Sequence, residues 1–161
     1  MKEAQQLLDI LAKILSSFEE LCSVLELERE AIVAFNPEAT LAFTQRKESI
    51  ALKQAALVKA QRRALEILAE ALTLPPTADL DTVLEVLDTD GESIENLFTE
   101  IKTIALKAKS QNLLNRRFVE HSLLYIDNTV QALRGGNKLK TYNNKGRLNY
   151  GRLARSTERN S

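Results

Sequence analysis

Helix breakers are confined to a few places in this chain. Pro occurs only at Pro37, Pro75 and Pro76, and Gly91 is the one glycine ahead of Gly135. Proline removes a backbone donor and clashes with the preceding turn, and glycine costs about 1 kcal/mol in a helix interior, so their placement marks where helices can end. Three long stretches are left free of breakers. They predict an all-α fold: an antiparallel bundle of three long helices plus one short helix, with a C-terminal tail. With 161 residues, 44% of them apolar, the chain is large enough to bury one core without staples.

Apolar spacing supports this reading. From Leu7 an apolar residue recurs at alternating steps of four and three, through Leu11, Ile14, Phe18, Leu21 and Leu25 to Ile32 and Phe35, and only Glu28 interrupts the series. Leu8, Leu15 and Cys22 widen the stripe, as expected of a helix packed against at least two neighbours rather than in a two-stranded seam. A helix over positions 2 to 34 would be roughly 50 Å long at ~1.5 Å per residue. The second helix, about 38 to 72, has a less regular set: Leu41, Phe43, Ile50, Leu52, Leu57, Val58, Leu65, Leu68 and Leu72.

Punctuation between the helices is local chemistry. Asn36-Pro37-Glu38 reads as a helix start, with Asn as N-cap, Pro preset for the first helical position and Glu facing the positive end of the dipole. Pro75-Pro76 stops the second helix, and Thr77 is expected to cap a short third one carrying Leu80, Val83, Leu84 and Leu87. Thr89 and Glu92 have capping-box spacing, so the last helix is expected to start there. It runs through Ile94, Phe98, Ile101, Ala105, Ala108, Val119, Ile126 and Leu133 to Gly135-Gly136, where the first glycine can take the left-handed conformation.

Net charge is zero overall but divided. Residues 134–161 hold 8 Lys/Arg against 1 Asp/Glu, and the residues before them 14 against 21, so a basic tail of about +7 follows an acidic body of about −7. The expected organisation is a helical bundle over 1–134 and a basic tail over 135–161 that is flexible or ordered by a partner, because its scattered apolar residues bury too little to order it alone. Charges at Lys2, Glu3, Asp9, Lys13, Glu19 and Glu20 interrupt any apolar run that a signal peptide or membrane span would need, so no membrane insertion is expected. A lone Cys22, at helical spacing from Phe18 and Leu25, reads as a buried small hydrophobe and suits a reducing cytoplasm.

Nothing in the pattern assembles a catalytic centre. His121 and Cys22 are the only histidine and thiol and fall on different helices, so a dyad would require a tertiary coincidence; His121 reads as a surface or interface residue. Gly135-Gly136-Asn137-Lys138 lacks the spacing and the preceding strand of a phosphate loop, and Glu26, Glu28 and Glu30 lack the glycine of a calcium loop and read as a solvated face. No enzyme, metal site or cofactor is expected. Asn112 and Asn115 fall near the apolar stripe of the last helix and admit two readings: amides turned to solvent, or a pair inside the bundle that fixes helix register.

The layout resembles the FlgN-like family of flagellar export chaperones. Leu41-x5-Lys47-x2-Ile50-x-Leu52 is similar to the family's lysine followed by paired aliphatics. Asn112-x2-Asn115, followed by aliphatics and then Ala132-Leu133, resembles its Asn-x-x-Asn helix. Tyr142-Asn143-Asn144-Lys145-Gly146 resembles its tail tyrosine followed four residues later by glycine. Arg116, where a small residue is expected, and the strongly basic tail depart from the pattern.

The resemblance implies an ATP-independent cytoplasmic chaperone that binds hook-filament junction (hook-associated) proteins, prevents their premature assembly and delivers them to the export gate. It implies partner-binding residues in the C-terminal region: Leu133, Leu139, Tyr142, Leu148 and Leu153 for apolar contact, Arg147 and Arg152 as polar rim, Gly146 from the tail pattern, and Tyr142 for docking to the gate's cytoplasmic domain. Lys47, Asn112 and Asn115 are expected in structural, register-setting roles. Two other classes compete: a dimerising helical adaptor, since a long stripe can serve a second protomer, and a nucleic-acid-associated protein with a phosphate-neutralising tail. An acidic body and 5% aromatic content argue against the latter.

Overall fold

A computed structural model describes residues 1–87, 89–135, 138–142 and 148–152, and for the last two segments the backbone alone. Helix α1 spans Lys2–Val33, α2 Pro37–Ala71, α3 Leu80–Val86 and α4 Thr89–Leu133. Strands β1 (Lys138–Tyr142) and β2 (Leu148–Arg152) follow. The chain divides into two compact units, Met1–Asn115 and Arg116–Ser161.

In the first unit α1 and α2 form an antiparallel hairpin. Glu20 of α1 meets Arg46 and Lys53 of α2 at 3.0 and 3.9 Å, while Glu28, two turns further along α1, accepts from Thr44, which lies earlier in α2. The part of α4 in this unit runs parallel to α1. The Met1 ammonium lies 3.0 Å from Asp90, and at the other end Asn115 reaches the Leu25 carbonyl. The three long helices therefore run up, down and up, so the expected antiparallel order holds between chain neighbours and α1 and α4 share a direction.

The turn between α1 and α2 is a helix stop followed at once by a helix start. Phe35 adopts φ +52°, and the Asn36 amide donates back to the Ala31 carbonyl. This is the left-handed ending that glycine usually supplies. Asn36 then caps α2, its Oδ1 accepting from the Ala39 amide at 3.0 Å, with Pro37 as first helical residue. The cap expected there is present.

Two other expected caps are corrected. Asp79, not Thr77, caps α3: its carboxylate accepts from the Thr82 amide and hydroxyl, while Thr77 falls in the turn that the Ala78 amide closes on the Pro75 carbonyl. Thr89 lies inside α4 as its first residue, so it does not cap from outside, and residue 88 is outside the described set. At the far end Gly135 has φ +74° and closes α4 as the sequence suggests.

The core follows the α1 stripe. Leu7, Leu11, Leu68, Val83 and Ile94 are essentially inaccessible and pack together, joining α1, α2, α3 and the start of α4. Each such side chain contributes about 1.5–3 kcal/mol by leaving water. A second cluster of Cys22, Leu25 and Ala108 continues the seam between α1 and α4, with Phe18 packed against both clusters. Cys22 is buried as expected, and burial pushes its thiol pKa up, against a smaller opposing effect of Lys107. Gly91 lets α3 approach α4 closely: a Cβ there would stand 3.2 Å from the Cβ of Leu87.

Parts of the apolar pattern did not become core. Leu41, Leu52 and Val58 of α2 and Phe35 of the turn are exposed. Buried positions in α4 end at Asn115. The chain is all-helical through Leu133, as expected, and a short two-stranded ladder follows. In the second unit β1 pairs antiparallel with β2, Lys138 opposite Arg152 and Tyr142 opposite Leu148. Apolar spacing does not announce this ladder, since Leu139 and Tyr142 are three apart in Lys-Leu-Lys-Thr-Tyr, although Thr141 and Tyr142 are residue types that suit a strand.

Candidate functional site

Where the second core cluster ends, the first unit holds a polar junction. Glu28, the residue that interrupts the α1 stripe, is 3% exposed. One carboxylate oxygen accepts from Lys47 Nζ of α2 at 2.7 Å and from the Thr44 hydroxyl at 3.2 Å. Its other oxygen accepts from Asn115 Nδ2 of α4 at 2.9 Å. Asn115, 2% exposed, uses its second amide hydrogen on the Leu25 carbonyl at 2.7 Å. Lys47 also donates to Asn112 Oδ1 at 3.1 Å. A buried carboxylate is costly unless charge and hydrogen bonds compensate it, and Lys47 and Asn115 from two neighbouring helices do so here, with the Thr44 hydroxyl shared between Glu28 and the Thr40 carbonyl. At the rim, Gln111 donates to Glu26 at 3.3 Å.

The helical segment of the second unit has the opposite character. From Val119 an apolar residue recurs through Leu123, Ile126, Val130 and Leu133 at steps of four, three, four and three. Leu123 is 60% exposed, Ile126 48% and Leu133 83%, and Phe118 and Tyr125 are also exposed. Such spacing is the seam of a coiled coil or bundle, and a run of exposed apolar residues along one helix marks an interaction surface. The groups here that could touch a partner are hydrocarbon and aromatic, with no cluster of metal-ligating residues among the described residues.

A family model described as FlgN protein matches residues 1–149, nearly the whole chain. The chain belongs to the FlgN family. FlgN proteins are flagellar export chaperones that bind hook-associated subunits. Neither curated proteins nor solved structures gave a match. No described helix is long and apolar enough to cross a membrane.

The residues suggested by the FlgN resemblance fall into three groups. Lys47, Asn112 and Asn115 come together around Glu28, with Asn115 buried and Asn112 at the exposed edge. Leu133 is the last residue of α4. Leu139 and Tyr142 belong to β1, and Leu148 and Arg152 to β2; only Tyr142 and Leu148 stand opposite each other in the register. Gly146, Arg147 and Leu153 lie outside the described residues.

Sequence reasoning misses three contributors. Glu28 reads as part of a solvated face, although its place in the stripe signals burial. Leu123 and Val130 are absent from the expected stripe of α4, although they complete the seam that includes Val119 and Ile126.

Proposed function

We propose that this FlgN-family chain is a cytoplasmic carrier of hook-filament junction subunits that covers their amphipathic terminal helices, prevents premature assembly and releases them at the export gate. The observation that carries the reading is the seam Val119-Leu123-Ile126-Val130-Leu133, laid out for helix pairing and largely exposed. An amphipathic helix from a subunit whose own partners form only after assembly has the complementary need, and laying it along this seam removes apolar surface of both chains from water. The basic residues of the tail, including Arg147 and Arg152, would flank that helix as polar rim, with Leu139, Leu148 and Leu153 adding apolar contact. Tyr142 is the proposed gate-docking residue.

Isothermal titration calorimetry with purified junction subunits tests this. Leu123→Glu with Ile126→Glu should weaken binding at least tenfold while the melt of the first unit changes little, and deleting residues 134–161 should weaken it further. Binding that survives both changes would place the site elsewhere. Tyr142→Ala should leave subunit binding nearly intact and weaken capture by the gate's cytoplasmic domain; equal loss of both would deny separate roles.

A further inference from the structure

The Glu28 junction is surplus to what a three-helix seam needs. Leu25 before it and Ile32 after it are buried and apolar, and an apolar residue at 28 would continue the stripe. The buried carboxylate instead demands specific donors at one height: Lys47 and Thr44 from α2 and Asn115 from α4. Sliding α4 by one turn, about 5.4 Å, would take Asn115 away from both Glu28 and the Leu25 carbonyl; one direction brings Phe118 or Val119 to that height and the other brings Gln111 or Asn112. Phe118 and Val119 have no amide to offer, whereas Gln111 and Asn112 do but would have to give up their bonds with Glu26 and Lys47.

We propose that Glu28, Lys47 and Asn115 form a key that admits only α4, in one register, to the α1–α2 hairpin and keeps a foreign amphipathic helix out of that groove. The proposal rests on the carrier reading above for its biological purpose. A protein that handles helices with apolar seams has such seams itself, and hydrocarbon alone distinguishes poorly between α4 and an incoming helix or between one register and the next. A helix lacking an amide at the height of Asn115 leaves Glu28 short of a donor in the core, which disfavours the exchange. Single buried polar positions that set register at some cost in stability are the best-attested use of such groups. Glu28, Lys47 and Asn115 are positioning residues here; the cargo surface lies in the other unit.

The test uses the full chain without any cargo. Spin labels at Lys13→Cys of α1 and Lys109→Cys of α4, both exposed positions, report the register by pulsed electron–electron distance measurement in a Cys22→Ala background. The parent should give one narrow distance. Combining Glu28→Leu, Lys47→Leu and Asn115→Leu should keep or raise the melting temperature and add a second population displaced by about one turn. Glu28→Gln, which keeps hydrogen-bonding capacity, should retain the single distance.

One unchanged narrow distance in the folded triple variant overturns the key, as does a lowered melting temperature with one distance, which is the signature of a merely structural network. Should the triple variant lose its helical circular dichroism, the same measurement on Asn115→Leu alone decides: a split distribution supports the key and a single one overturns it. Failure of the carrier reading would appear in the calorimetry above and leave these distances untouched.

Discussion

Replacing Lys47 by Met removes the ammonium that lies 2.7 Å from a Glu28 carboxylate whose side chain is 4% exposed. Breaking one partner out of a buried ion pair costs ~3–5 kcal/mol, because the remaining charge stays desolvated. Two features of this site reduce that figure. Lys47 is itself 22% exposed, so part of its charge is already solvated, and Glu28 keeps the donors of Asn115 and Thr44. A loss of about 2–3 kcal/mol follows, since a charge-assisted hydrogen bond contributes about 1.5–3 kcal/mol.

At roughly 2–4 °C per kcal/mol for a protein of this size, the melting temperature of the Lys47→Met variant should fall by about 5–10 °C. Scanning calorimetry on the parent, Lys47→Met, Glu28→Leu and the double variant closes a mutant cycle. The double variant should recover most of the loss, because with both groups gone no charge is left buried. A Lys47→Met protein that melts within about 2 °C of the parent would refute the reasoning, showing that Glu28 is solvated or paired otherwise.

Other sites give independent tests. Leu68→Ala, at a position with no exposed surface, should cost about 2–5 kcal/mol in urea unfolding. Phe35→Gly should stabilise the chain by about 0.5–1 kcal/mol, because Phe35 holds a left-handed conformation while 62% exposed, so it carries the Cβ penalty with little burial in return; a lower urea midpoint would contradict this. The Asp79 carboxyl sits below its ordinary pKa, held there first by the Thr82 hydroxyl and then by the Thr82 amide. A lowered folded-state pKa contributes stability that is full above the ordinary carboxylate range and fades as pH falls through the folded value, below about 4. The protection of the Thr82 amide, taken relative to its intrinsic exchange rate at each pH, should fall in that window, and Asp79→Asn should remove that dependence.

What the sequence determined by itself was everything that local physics settles within one or two turns. The proline and glycine positions, the Asn36 cap, the left-handed Gly135 and the α1 stripe fix helix ends and faces, because backbone donors and apolar spacing act over a few residues. Asp79 replaced Thr77 as cap within that same range, a choice between neighbours of similar chemistry. Tertiary structure decided which surfaces are covered. The spacing from Ile94 to Ala108 and the spacing from Val119 to Leu133 look alike along the chain, yet the first holds buried residues and the second is largely exposed, since burial depends on neighbours that periodicity does not name. Glu28 reads as an interruption until Lys47 and Asn115, 19 and 87 residues away in the chain, supply the donors that make its burial tolerable. The pairing of β1 with β2 likewise depends on a partner strand, because a five-residue strand satisfies its backbone groups only across a ladder.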